Sequence, residues 1–182
     1  MAHSTAASAH TAGRALRLLD QPDLRHQPAP IPQARRATAT APSVPLNLSL
    51  FDDLTHTVSE VADHARRVNP AAGPLPDDLG RLYDWWIDNT SDADTDEQAF
   101  RDTVIERHRL EHAIRLGQTE EVCKNPCPGC GCWGLEWDGV GNRALCLNRR
   151  CRTPDGYAST WTLGRLAVQK VQRTEMWRRN AT

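Results

Sequence analysis

The chain has 182 residues, 25% of them charged and 39% hydrophobic, with a formal net charge of -1. That length holds one ordinary domain, or one small domain plus a module held by a metal. The charge balance excludes a uniformly basic nucleic-acid binder and a polyacidic tail protein, and no run of about eighteen apolar residues exists to span a membrane.

Residues 1–45 hold six of the twelve prolines and few large apolar groups. Such a composition buries too little surface to offset ordering entropy, which predicts a disordered arm. Arg14 to Leu19 could form one helical turn, and the acid-free start with Arg14 and Arg17 also mimics a transit peptide. An apolar secretory segment is missing, and with no membrane span either the expected location is cytoplasmic.

Regular structure is expected from Asn47 or Ser49, either of which can cap a helix. Leu50, Leu54, Val58, Val61, Ala65 and Val68 recur at three- and four-residue steps, which predicts one amphipathic helix ending at Asn69-Pro70. A second helix is expected from about Asp77 to Asp88, with Leu79, Leu82, Tyr83, Trp86 and Ile87 inward. Thr95 and Gln98 form a capping-box pattern for a third. That helix carries Phe100, Val104, Leu110 and Ile114 inward and stops at Gly117. Three such helices can bury one small helical core.

All six cysteines lie between Cys123 and Cys151. Cys127-Pro128-Gly129-Cys130-Gly131 offers two thiolates in a tight turn, with glycines that let backbone amides approach the sulfurs. A second pair, Cys146 and Cys151, follows with a four-residue gap. Trp133 to Trp137 and Arg143 to Leu145 read as strands between the pairs, and Tyr157 to Thr162 as a third. This is the pattern of a zinc ribbon, with one structural zinc at Cys127, Cys130, Cys146 and Cys151. Cys123 and Cys132 are spare, and Cys132 is the substitute should Cys151 not serve. An iron–sulfur cluster uses the same ligands, and disulfides or a redox Cys-x-x-Cys are the remaining alternatives. His108-Arg109-Leu110-Glu111-His112 matches the H-x-x-E-H peptidase pattern, but the chain is small for such a cleft. Two surface histidines on a polar helix face are the expectation there.

The net charge conceals segregation. Residues 1–45 carry five basic and two acidic groups (+3), residues 46–122 seven and seventeen (-10), and residues 123–182 ten and four (+6). Arginine outnumbers lysine twenty to two, which we read as codon bias of a GC-rich genome. A closing helix is expected near Leu163 to Arg178, with Leu163, Leu166, Ala167, Val171 and Trp177 inward. Arg149, Arg150 and Arg152 on the metal-fixed loop, with Arg165, Lys170 and Arg173 on that helix, form a candidate phosphate-contacting surface. The rival is neutralisation of these groups by the acidic helices of the same chain. Trp133, Trp137 and Trp161 are expected to pack the ribbon core, not to stack on bases.

The run from Arg109 to Arg165, with Pro126-Cys127-Pro128-Gly129-Cys130-Gly131-Cys132-Trp133, Cys146-Leu147-Asn148-Arg149-Arg150-Cys151 and Trp161-Thr162-Leu163, resembles uncharacterised zinc-ribbon proteins of actinobacteria and their phages. The resemblance implies a bacterial or mobile-element context and no defined activity. The four-residue gap departs from the commoner two-residue knuckle.

The expected architecture is therefore α+β. A disordered arm (1–45) leads into a small acidic helical bundle (46–118), then a β zinc ribbon with a basic closing helix (119–182). The expected function is that of a non-enzymatic, DNA- or RNA-associated accessory or regulatory protein. The alternative is a protein-interaction adaptor whose acidic helices bind a partner and whose zinc is purely structural.

Overall fold

A computed structural model describes residues 3–25 and 47–180. In chain order it contains α1 (His3–Leu19), α2 (Pro22–Arg25) and α3 (Leu48–Val68). A 3-10 turn (Leu79–Arg81) runs into α4 (Leu82–Asn89), followed by α5 (Thr95–Arg115) and α6 (Glu120–Cys123). β1 (Leu135–Asp138), β2 (Arg143–Cys146) and β3 (Thr160–Trp161) precede α7 (Leu163–Asn180). The fold is α+β, mostly helical, with one small antiparallel sheet in the order β1-β2-β3. Among the described residues no helix is long and apolar enough to cross a membrane.

Side-chain caps set several helix starts. Asn47 Oδ1 accepts from the Leu50 amide, and Asp78 Oδ1 accepts from Gly80 N. The cap of α5 is Asp94, whose Oδ1 accepts from Glu97 N at 2.8 Å. The expected cap, Thr95, is instead the first helical residue. Gln98 turns back to donate to Ser91 O and Ala93 O, so it holds the preceding loop. At the other end Gly117 takes φ 77°, and Gln118 N donates to Ala113 O. That left-handed C-terminal stop is one glycine adopts without strain.

The expected disordered arm is corrected for its first part: residues 3–19 and 22–25 are helical. The rest, residues 26–45, lies outside the described residues. The composition misled because α1 buries small side chains, Ser8, Ala9, Ala12 and Ala15, with only Leu16 and Leu19 as large ones. Alanine is the best helix former, and a small-residue face lets backbones approach closely. A Cβ on Gly13 would sit 2.3 Å from Gly80 O, so the 3-10 turn lies directly on α1. Thr5 Oγ1 and Ser8 Oγ then donate to Asp102 and Glu106 of α5.

Two cores result. The first gathers Leu16, Leu19, Leu54, Val61, Tyr83, Trp86 and Ile105 from α1, α3, α4 and α5. The second joins Leu110, Val122, Leu135, Ala144, Leu163 and Leu166 with three of the cysteines. Helix α5 serves both, with Ile105 in one and Leu110 in the other, so the ribbon is seated on the helical body. Phe100, expected inward, is 47% exposed, and its ring stacks on His64 at 5.0 Å.

Candidate metal centre and basic face

The ribbon hairpin pairs Leu135 with Cys146 and Trp137 with Ala144, and Ala144 in turn pairs with Trp161. This register puts Leu135, Ala144 and Cys146 on the inner face. The β1–β2 turn is built by Asp138, whose Oδ1 accepts from Val140 N, and by Asn142 at φ 51°. Strand β1 starts at Leu135, two residues later than expected, and just before it Gly134 O accepts from Leu147 N beside the second knuckle.

The first knuckle is closed by its own backbone. Gly131 N donates to Cys127 O at 2.8 Å and Cys127 N to Cys132 O at 2.9 Å. Gly131 adopts φ 72°, which a side chain there would strain. Gly129 lies under the Trp161 indole, where a Cβ would come within 2.9 Å of Cζ2. The second knuckle spends its longer gap on one asparagine. Asn148 Oδ1 accepts from Arg150 N and Asn148 O from Cys151 N. Its Nδ2 reaches Cys130 Sγ at 3.5 Å and Cys132 Sγ at 3.3 Å, tying the two knuckles together. Residue reasoning did not single out Asn148; the signal was an asparagine inside a short gap between ligands, where Asx turns form.

These loops bring Cys127, Cys130, Cys146 and Cys151 together, with all four sulfurs within 4.8 Å of one another. Cys127 to Cys151 and Cys130 to Cys146 are each 3.7 Å apart. A tetrahedron with metal–sulfur bonds near 2.3 Å has edges of about 3.8 Å, so the four-cysteine cluster can hold a metal ion. All six cysteines are free thiols. Cys123 and Cys132 lie outside the cluster, and the four-residue gap brings in Cys151 without the Cys132 substitute. The Cys132 backbone amide and the Asn148 side chain hold the Cys130 thiol down at about 6, against some burial. Burial pushes Cys146 up to about 12.

The basic residues divide into two groups. Arg149, Arg150 and Arg165 are exposed, with no side-chain partner among the described residues. The other three also make contacts within the chain. Arg152 donates to Arg149 O and Gly156 O and so stiffens the loop. Lys170 Nζ donates to buried Glu106 at 2.8 Å. Arg173 lies 5.8 Å from the Trp133 ring centroid. Trp137 and Trp161 pack against the ribbon core as expected. Trp133 does not, and neither Trp133 nor Trp177 is inward: each is 68% exposed.

The H-x-x-E-H histidines are not on the surface. His108 and His112 are 1% and 5% exposed. His108 Nε2 lies 2.9 Å from a Glu60 oxygen, so this nitrogen donates and Nδ1 is left to accept. Tyr83 then donates its hydroxyl to His108 Nδ1 and accepts from His112 Nε2, at 3.0 and 2.9 Å. Two helix turns of α5 are thereby bolted to α3 and α4. The His108 hydrogen bond holds the Glu60 carboxyl at about 2. Burial, chiefly, with the Arg115 charge in support, lowers His112 to about 3.

That shift sets a pH dependence. The unfolded chain protonates His112 below about 6.5, whereas the folded chain does so only near 3, so acid favours unfolding in between. Stability is expected to fall by up to about 1.4 kcal/mol per pH unit from this group below pH 6.5. Urea midpoints at descending pH should show a shallower acid limb in His112→Gln than in the parent. Identical limbs would refute a neutral, buried His112.

Compared with known proteins, the chain matches no family model, no curated protein and no solved structure.

Proposed function

We propose that this protein is a non-enzymatic zinc-ribbon protein that associates with DNA or RNA through the loop its metal fixes. The resemblance of its cysteine pattern to actinobacterial and phage zinc-ribbon proteins supports a bacterial or mobile-element setting. Zinc is the ion this donor set suits: four thiolates on two knuckles, closed to substrate, stabilising structure. The observation that carries the reading is Arg149 and Arg150 at the tip of the second knuckle, exposed and without a carboxylate partner among the described residues.

The rival account, neutralisation of the basic end by the acidic body, is weakened by the pairing within that body. Glu60 pairs with Arg107, Glu97 with Arg67, Asp102 with Arg101 and Asp53 with Arg115. Across to the basic helix, Lys170 pairs with Glu106. Arg149, Arg150 and Arg165 are left for an external anion.

Phosphate contact has a salt signature. Binding of a mixed-sequence oligonucleotide, followed by anisotropy from about 50 to 200 mM salt, should weaken along a straight log–log line. Arg149→Ala with Arg150→Ala should reduce the slope by about 1.4–1.8, two phosphate contacts' worth. Absence of binding at the lowest salt would favour the adaptor reading, in which the acidic helices take a protein partner.

A further inference from the structure

We infer that the cleft between α1, the first knuckle and α7 is a single-strand site, in which unpaired nucleobases stack on Trp133 and Trp177. The inference rests on the nucleic-acid reading above and names the form of nucleic acid taken.

The cleft encloses about 600 Å³, within the roughly 300–1,000 Å³ of ligand clefts. Trp133 follows directly on the first knuckle, and Trp177 lies one helical turn beyond Arg173 on α7. Both indoles line this cleft, and both are 68% exposed. An exposed indole costs hydration free energy, and two of them facing one concavity make a binding surface rather than scattered surface apolars. Arg173 already lies over the Trp133 ring, 5.8 Å from its centroid, a cation–π contact of the kind that accompanies base stacking.

The polar lining selects an anion. Arg109, Lys124, Lys170 and Arg173 line the cleft, against Glu121 in the lining and Glu106 behind it. Four cations against two carboxylates leave a surplus of positive charge at the site. Asn125 adds recognition. It is 4% exposed, and its Nδ2 is spent on Glu121 O and Val122 O. Its Oδ1 is left as an acceptor for a base amino group. Duplex nucleic acid cannot use this cleft, because its bases are already stacked and paired. An acidic peptide would satisfy the cations but leave both indoles uncovered.

The experiment uses the full metal-loaded chain, a labelled single-stranded oligonucleotide, the same sequence as duplex, and an oligoglutamate competitor. Single strand should bind more tightly than duplex at equal salt and quench tryptophan fluorescence. Trp133→Ala should weaken single-strand binding about tenfold or more with an unchanged salt slope, and Trp177→Ala similarly. Trp133→Phe, which keeps a ring, should retain most of the affinity. Because both side chains are exposed, truncation leaves the fold intact, and circular dichroism checks this.

Single-strand affinity within twofold of the parent in both alanine variants would overturn the inference while the arginine-loop reading stood. Duplex binding as tight as single strand would do the same. Trp133-dependent capture of oligoglutamate without the oligonucleotide would assign the cleft to a protein partner. Failure of every nucleic acid to bind would remove both the inference and the reading beneath it.

Discussion

Cys146→Ser is expected to strip the metal from the protein and unfold the ribbon while leaving the helical body in place. The ribbon has little else to hold it. Its strands are four, four and two residues long, and the apolar side chains they add to the second core are chiefly Leu135 and Ala144, with Trp137 and Trp161 half-buried against it. Structural zinc contributes about 10–16 kcal/mol in small finger peptides, more than these few side chains can. Metal analysis should fall from one ion per chain to a small fraction, and hydrogen exchange should accelerate across β1 and β2. Protection in α3, α4 and α5 should persist, because their core draws on none of the cysteines. Cys132→Ser and Cys123→Ser should leave metal content unchanged. Full metal occupancy in Cys146→Ser would refute the site.

The same centre should load more tightly as pH rises. In the metal-free fold at neutral pH, Cys130 at about 6 is already a thiolate, whereas Cys146 at about 12 still holds its proton. Metal binding must expel at least that proton, so each pH unit of acidification should weaken loading at least about tenfold. Chelator competition at several pH values measures the slope.

How much of this was legible beforehand depended on whether the determining interaction was local. The α3 stripe and the ligand pairs were legible, because helix periodicity and knuckle spacing are short-range properties. The α1 helix was not: its burial depends on Gly13 lying against Gly80 and on hydroxyls meeting Asp102 and Glu106, about a hundred positions away. The histidine pair looked solvent-facing among Arg107, Arg109 and Glu111, yet Tyr83 and Glu60 draw it inside. The fates of Lys170, Arg152 and Trp133 were equally hidden. A basic or aromatic residue on a helix or knuckle gives no local sign of whether a buried acid, a carbonyl or a cleft awaits it.

Glu106→Ala tests the most consequential of these hidden contacts. Glu106 is 2% exposed, and three helices meet on its carboxylate. Arg109 donates twice to Oε1, at 3.0 and 2.8 Å. Ser8 and Lys170 donate to Oε2 at 2.9 and 2.8 Å. Burial alone would raise its pKa, but Arg109 and Lys170 outweigh it and keep the carboxyl below its ordinary range. Removing it leaves the Arg109 guanidinium buried with Glu121 as its remaining partner. Lys170 is less harmed, since its side chain is 36% exposed and can rehydrate. Breaking such a buried pair costs about 3–5 kcal/mol, or a fall in Tm of about 6–20 °C for a chain of this size. Glu106→Leu with Arg109→Leu should recover much of that loss, because apolar packing replaces a charge that would otherwise lack its partner. The comparison separates the cost of an unpaired charge from the loss of packing. Equal destabilisation of the single and double variants would mean that Glu106 acts by filling space, and an unchanged urea midpoint in Glu106→Ala would mean that α1 and α7 are not held through it.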